Sequence, residues 1–459
     1  MSPQTPLLTA AFVLIACQGF AAELPVPRAR VIPLEVGTPT GDIESAGSLL
    51  AADVDDDGGM ELLVTAPGYL GAYETDGPRL WSKRLDIRVG GQSESQGLPG
   101  HHGPGVAAGD LDGDGKTEVA FLTQDSVVHV LDGASGNEEW TAAPAVPEGA
   151  ERWEQVMVAS FRGQGDRDLL LQATNKDGYR TGCYLAAYAA EALRAGGAPL
   201  WRREDFMSCA HNGARLADLD GDGRDEVLGP TLLGPDGGLL SEIPLRGHVD
   251  SIFAGDVDPR RPGLEVVMLE EGGRDGNRVF LTSKDGLIWE THYAHQEPQN
   301  AALGRFDTSR PGLQVWCRSR NDEHQKPFVF DGHGELISDY EMDAVAPPGW
   351  TVAGVEVIWT IDWTGEQRQL AAAKERHTNG DVCLFDPISG EFKLRIPEAA
   401  ARLYVADVTG DWREELVVWA GSQLHLYENP APNPRPNHPR LWQDPAYRRA
   451  KSVWNYYSP

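Results

Sequence analysis

The chain has 459 residues, with 69 Asp and Glu against 40 Lys and Arg, for a formal net charge of −29. That balance excludes nucleic acid and an anionic membrane surface as partners, since both carry the same sign of charge. With 52 glycines, 32 prolines and little helical periodicity, the chain reads as short strands separated by turns, an all-β protein.

In chain order, an apolar stretch from Pro6 to Cys17 comes first and is too short to span a bilayer. It ends in Leu14-Ile15-Ala16-Cys17, which matches a bacterial lipobox, with Ala22 as an alternative cleavage site of the ordinary secretory kind. Residues 1–22 are therefore expected to be an export signal and 23–459 one domain. The expected location is extracytoplasmic, either secreted or lipid-anchored through Cys17, with no transmembrane span.

Three acidic loops follow: Asp53-Val-Asp55-Asp-Asp57-Gly-Gly-Met-Glu61, Asp110-Leu-Asp112-Gly-Asp114-Gly-Lys-Thr-Glu118 and Asp218-Leu-Asp220-Gly-Asp222-Gly-Arg-Asp-Glu226. Each reads D-x-D-x-D-G-x-x-E. Carboxylates at positions 1, 3 and 5 enter one turn, glycine lets the backbone bend, and the acid at position 9 closes the set. Oxygen-only, multi-carboxylate geometry suits a hard cation of calcium size. A strand follows each loop, so the pattern is not an EF-hand, and several mainly structural calcium ions are expected.

Aligning on these loops exposes degenerate copies at Ser160 to Asp168, at Asp256-Val-Asp258 to Glu265, at Asp307 to Gln314, at Asp362 and at Asp407-Val-Thr-Gly-Asp411 to Glu415. Asp256, Asp258, Asp407, Asp411 and Glu415 join the expected metal ligands. The eight units recur about every 51 residues, the range of β-propeller blades. Each unit has an apolar strand before the loop and others after it, the fourth often opening on tryptophan (Trp81, Trp140, Trp201, Trp289). An eight-bladed β-propeller is the expected fold, or a seven-bladed one if the weak copy at Asp362 belongs to a neighbour. Such blades pack only on their neighbours, so a single-domain monomer is expected. Ala186 to Ala195 is the one segment read as helical. Cys183, Cys209, Cys317 and Cys383 lack metal-site spacing; they either pair as disulfides outside the cytoplasm or stay buried thiols.

In a propeller, polar residues beside the innermost strands converge at one mouth of the channel. His102, His211 and His248 stand 8, 7 and 8 residues before the next repeat aspartate, so they fall in register. These three are the candidate catalytic residues, since imidazoles can exchange protons near neutral pH. His101, Asn212, Asp250, His295, Glu297 and Asn300 flank them as candidate substrate-binding groups, and His324 or His377 can join if the loops allow. No nucleophile elbow, Walker loop or dinucleotide fingerprint is present.

The loops are similar to FG-GAP/VCBS-type repeats. The strings Gly255-Asp-Val-Asp-Pro-Arg-Arg-Pro-Gly-Leu-Glu265, Arg310-Pro-Gly-Leu-Gln-Val-Trp316, Gly410-Asp-Trp-Arg-Glu-Glu415 and Asp444-Pro-Ala-Tyr-Arg448 resemble the catalytic propeller of family-11 polysaccharide lyases, the rhamnogalacturonan lyases, over roughly residues 200 to 459. The resemblance implies cleavage of the rhamnose–galacturonate backbone by β-elimination, calcium binding, and an Arg, a Lys and a late Tyr at the site. Tyr457 best matches that tyrosine, with Tyr456 close behind. The family's Asn-Gly-Thr-Lys segment falls on Pro397-Glu-Ala-Ala-Ala401, where no lysine stands; Arg402 is nearby in a different slot and is kept as a substrate-binding candidate. Two readings remain open here: an exported lyase acting on a uronate-containing polysaccharide, or a non-catalytic calcium propeller binding glycan or protein at the cell surface.

Overall fold

The computed structural model describes residues 24–38, 47–87, 105–176, 181–209, 213–272, 276–292, 297–320 and 325–453. The expected signal with Cys17, and the candidates His101, His102, His211, Asn212, His295, His324, Tyr456 and Tyr457, lie outside the described residues. Within them, 32 strands form eight four-stranded antiparallel sheets, so the propeller has eight blades and the seven-blade alternative falls. Blades 1 to 7 are consecutive: 48–84, 106–142, 150–203, 215–242, 248–291, 297–339 and 355–400. Blade 8 takes its three inner strands from 402–428 and its outermost from Arg28–Pro33, which pairs antiparallel with Gln423–Glu428. The first and last strands of the described chain thus close the ring through backbone hydrogen bonds.

Numbering the strands of a blade from the channel outward, the first strands contact one another between blades 2 and 3, 5 and 6, 6 and 7, 7 and 8, and 8 and 1. All eight acidic repeats fall on the connection from first to second strand, including the weak copy at Asp362, between Val355–Ile361 and Leu370–Glu375. Those connections share one end of the channel. The first-strand starts and the second-to-third hairpins share the other, called here the open mouth.

Outer tryptophans join the blades. The indoles of Trp81, Trp201 and Trp289 donate to Gly133 O, Pro235 O and Gly332 O of the next blade at 2.6, 2.8 and 3.0 Å. Tyr340 takes this place in blade 6, its hydroxyl donating to Pro387 O at 3.2 Å. Burying such rings removes large apolar areas from water while their polar tips stay satisfied.

Helix is scarcer than strand and only partly where the sequence suggested. Ala186 to Ala189 finish the third strand of blade 3, Thr181–Ala189, and only α1 (Ala190–Arg194) is helical. Two further helices, α2 (Met342–Val345) and α3 (Pro445–Ser452), were not anticipated. The four cysteines are free thiols in four separate places, three of them buried, so the disulfide alternative is corrected. No described helix is long and apolar enough to cross a membrane.

Helix α3 begins at the acidic-loop end, where the Asp444 side chain accepts from Ala446 N at 2.9 Å and Pro445 fills the first turn. It then packs on first strands of blades 1, 4 and 5. Beside it the channel keeps a cavity of about 330 Å³, walled by Leu216, Ile252, Phe253, Leu303, Trp359 and Val453.

Candidate active site at the open mouth

His248 opens the first strand of blade 5, His248–Gly255, and Glu271 ends the second, Glu265–Glu271. Antiparallel register sets the two opposite each other, and Asp250 is the extra residue of a bulge between Val249 and Ser251. His248 Nε2 lies 3.1 Å from Asp250 Oδ1 and 4.0 Å from Glu271 Oε2. The three offer ligand atoms within 4.8 Å of one another, a mixed nitrogen and oxygen set able to hold a metal ion. Asp250 is fully buried, while His248 is about a third exposed.

Blade 6 supports this cluster. Gln299 Nε2 donates to Glu271 Oε2 at 3.2 Å, and Arg318 Nη2 donates to Gln299 Oε1 at 2.7 Å. Arginine can only donate, so Arg318 fixes the Gln299 amide with its NH₂ toward Glu271. Burial, reinforced by Asp250 and Glu297, pushes the Glu271 carboxyl above its ordinary range against the opposing pull of Gln299 and His248. Such crowding of buried carboxylates is what a bound cation relieves.

Blade 7 continues the seam. Lys374 Nζ donates to Glu356 Oε1 at 2.7 Å, and His377 Nδ1 stands 3.8 Å from Glu356 Oε2. Burial alone would raise Glu356, but Lys374, Arg318 and His377 outweigh it and hold the carboxyl below its usual range. One continuous polar seam therefore crosses blades 5, 6 and 7.

Of the expected catalytic histidines, His248 is in this seam, and His377 joins it from the next blade but one. Asp250 belongs to the cluster. Glu297 opens the first strand of blade 6, where Asn300 is fully buried. Arg402, by contrast, is buried in the seam between blades 8 and 1, donating to Gly47 O at 3.3 Å and Ala401 O at 3.0 Å. Glu271, Gln299, Arg318, Glu356 and Lys374 were missed. Their signal was register: each stands at the mouth end of a strand, across from or one blade beyond a motif residue.

The three full acidic loops share one geometry. Val54 N, Leu111 N and Leu219 N donate to Glu61, Glu118 and Glu226 at 2.7, 2.7 and 2.8 Å. Gly58 N, Gly115 N and Gly223 N donate to Asp53, Asp110 and Asp218 at 3.1, 3.1 and 2.8 Å. Ligand atoms of Asp53, Asp55 and Asp57, of Asp110, Asp112 and Glu118, and of Asp218, Asp220 and Asp222 gather within 4.8 Å. Burial pushes Glu61, Glu118 and Glu226 up to about 7, the neighbouring aspartates adding to it. In loop 1, Asp53 Oδ1 and Glu61 Oε1 are buried with no hydrogen-bond partner. That is the environment a cation fits.

The degenerate loops differ. Arg260 takes Asp258 at 2.7 Å, Arg310 takes Asp307 at 3.2 Å, Arg413 takes Asp411 at 2.6 Å, and Arg162 takes Asp168 at 2.7 Å. A guanidinium thus stands against a carboxylate in those four loops, as Arg224 also does against Asp222 at 2.6 Å in the full loop of blade 4. Among the described residues, Asp256, Asp258, Asp407, Asp411 and Glu415 are not drawn into a ligand cluster of the kind seen in the full loops.

The family model "Rhamnogalacturonan lyase family 11, C-terminal domain" matches residues 201–458. Among characterised relatives, rhamnogalacturonan endolyase YesW of Bacillus subtilis (strain 168) is 28% identical over 90% of this chain and 72% of its own length. Rhamnogalacturonan exolyase YesX of the same organism is 26% identical over 83% of this chain and 71% of its own. The crystal structure of exotype rhamnogalacturonan lyase YesX shares the fold, with a TM-score of 0.69 at 22% identity over 94% of this chain and 81% of that one.

Proposed function

Because the chain belongs to rhamnogalacturonan lyase family 11, we propose that it cleaves a rhamnogalacturonan-type, uronate-containing polysaccharide by β-elimination at the open mouth. The observation that carries this reading is positional. The matched region, 201–458, contains the whole seam from His248, Asp250 and Glu271 through Gln299 and Arg318 to Glu356, Lys374 and His377.

β-Elimination needs positive charge beside the uronate carboxylate so that the C5 proton becomes acidic, and a base to take that proton. His248, Asp250 and Glu271 would hold a divalent cation, which when bound supplies the positive charge for the carboxylate. Gln299, fixed by Arg318, keeps Glu271 turned toward the other two. Tyr457 remains a candidate for the leaving oxygen, on the resemblance alone.

Calcium in the loops at Asp53, Asp110 and Asp218 belongs to the same reading, supported by their carboxylate geometry and by the orphaned oxygens of Asp53 and Glu61. So does export, supported by the lipobox-like segment ending at Cys17 and by the abundance of calcium outside the cytoplasm. One chain closes its own ring, which fits a monomer. Kinship with FG-GAP/VCBS repeats is inferred from the loop spacing alone.

A second reading has one observation in its favour. At Pro397–Ala401, where the family pattern carries lysine, this chain has none. A propeller that binds the glycan without cutting it would fit that loss. The deciding experiment is ultraviolet absorbance of calcium-loaded protein with rhamnogalacturonan and a panel of other uronate polysaccharides. Unsaturated product that disappears in His248→Ala supports the lyase; binding with no product on any of them supports the glycan-binding module.

A further inference from the structure

The second-to-third hairpin of blade 7, between Leu370–Glu375 and Gly380–Phe385, lies at the open-mouth end of its blade. Beneath it Lys374 spends all three ammonium donors, on Glu356 Oε1 at 2.7 Å, Glu375 O at 3.0 Å and Thr378 O at 2.9 Å. Two of those acceptors bracket His377 in sequence, so the buried ammonium clamps the backbone on either side of it. His377 itself is held at φ 58°, in the left-handed region that L-residues seldom occupy. Its ring is more than half exposed, with the buried Glu356 carboxylate behind Nδ1. A buried ion pair costs desolvation that a plain hairpin has no need to meet.

Elimination of candidates points to the same residue. Among the described groups of the seam, His248 is engaged with Asp250 and Glu271, Glu356 is buried against Lys374, and Lys374 has no donor to spare and is 5% exposed. His377 is the remaining group of this seam that is exposed and changes protonation near neutral pH.

We propose that His377 is the general base of the elimination, with Glu356 and Lys374 as its positioning residues. This rests on the lyase reading above. The imidazole lone pair takes the C5 proton, the C5–H electron pair becomes the C4–C5 double bond, and the C4–O4 bond breaks. O4 departs with its bonding pair and takes a proton from water, and the imidazolium returns the C5 proton to solvent. The groups facing His377 suit that order: burial, Arg376, Arg318 and Lys374 hold it below the ordinary histidine range against the opposing Glu356, so the ring carries its lone pair at neutral pH.

The test uses the full chain with rhamnogalacturonan, following unsaturated product across pH for wild type, His377→Gln and His377→Ala, with and without added imidazole. We expect kcat to fall about 10²–10⁴-fold in both variants, melting temperature to stay unchanged, imidazole to restore part of the rate in His377→Ala, and the acid limb of kcat/KM to vanish. A His377→Gln enzyme at the wild-type rate overturns the assignment and leaves the lyase reading standing. Loss of rate without imidazole rescue gives His377 a binding role and overturns the base role. No product from wild type overturns the lyase reading and this inference with it.

Discussion

Gly136 shows how single residues join one blade to the next. It sits at φ 65°, and a Cβ built there would lie 2.6 Å from the Trp81 indole of blade 1. Gly237 repeats this against Trp201 at 2.6 Å and Gly334 against Trp289 at 3.0 Å. Left-handed backbone alone costs an L-residue about 1–2 kcal/mol, and overpacking against a buried ring adds about 1–3 kcal/mol. Gly196, at φ 69°, has nothing within 4 Å of its would-be Cβ and isolates the backbone part. Gly136→Ala should therefore lower the urea midpoint clearly more than Gly196→Ala. Equal shifts would mean that the indole contact does not matter. Turns such as Leu131 to Gly136 were readable in the sequence, but their glycine had no visible reason, because the ring it admits comes from 55 residues earlier.

Among the elements, α3 is the one that ties distant blades together. Arg449 meets Asp166 at 2.7 Å and Asp225 at 2.8 Å, in the loops of blades 3 and 4. Lys451 meets Glu414 of blade 8 at 2.6 Å, and Arg440, ahead of the helix, donates to Gly58 O of blade 1. Removing Arg449 would leave two carboxylates facing each other, Asp225 almost fully buried and Asp166 partly exposed. Arg449→Gln should cost about 3 kcal/mol, and Asp225→Asn in the same chain should recover part of it, because the stranded charge is then gone. A double variant no better than the single would show that the carboxylate is not the cause. This helix was illegible in the sequence for a physical reason. It buries cations among acidic loops, so Asp444 to Ser452 shows no apolar stripe. The strands and their loops were legible because each repeats eight times. The site was half legible: His248 and Asp250 share a strand, but Glu271 reaches them only through antiparallel register, and Gln299, Arg318 and Glu356 through the packing of blade on blade.

At the scale of the whole ring, stability divides between two kinds of acidic loop. Blades 1 and 2 gather carboxylates with little built-in positive charge, and blade 4 gathers them with Arg224 on Asp222 and Lys284 on Asp220, whereas blades 3, 5, 6 and 8 bring a guanidinium from Arg162, Arg260, Arg310 and Arg413 and form no such cluster among the described residues. A ligand that binds only the folded state stabilises it by mass action, about 2.7 kcal/mol at a hundredfold excess over Kd. If calcium fills the three full loops, chelation should lower the melting temperature sharply. The loss should also be local, because blades pack chiefly on their neighbours. Amide exchange after chelation should speed up around residues 53–61, 110–118 and 218–226 and change least around 256–265 and 407–415. Blade 1 lies next to the ring closure, where Arg28–Pro33 pairs with Gln423–Glu428, so opening at loop 1 should carry the closing strand with it. Protection at Val31 and Ile32 should therefore fall together with loop 1 and ahead of blade 5. A melt indifferent to chelator would remove calcium from the account of stability. Uniform loss of protection in all eight blades would instead mean that the ring unfolds as one unit, and that the arginine-held loops confer no independence.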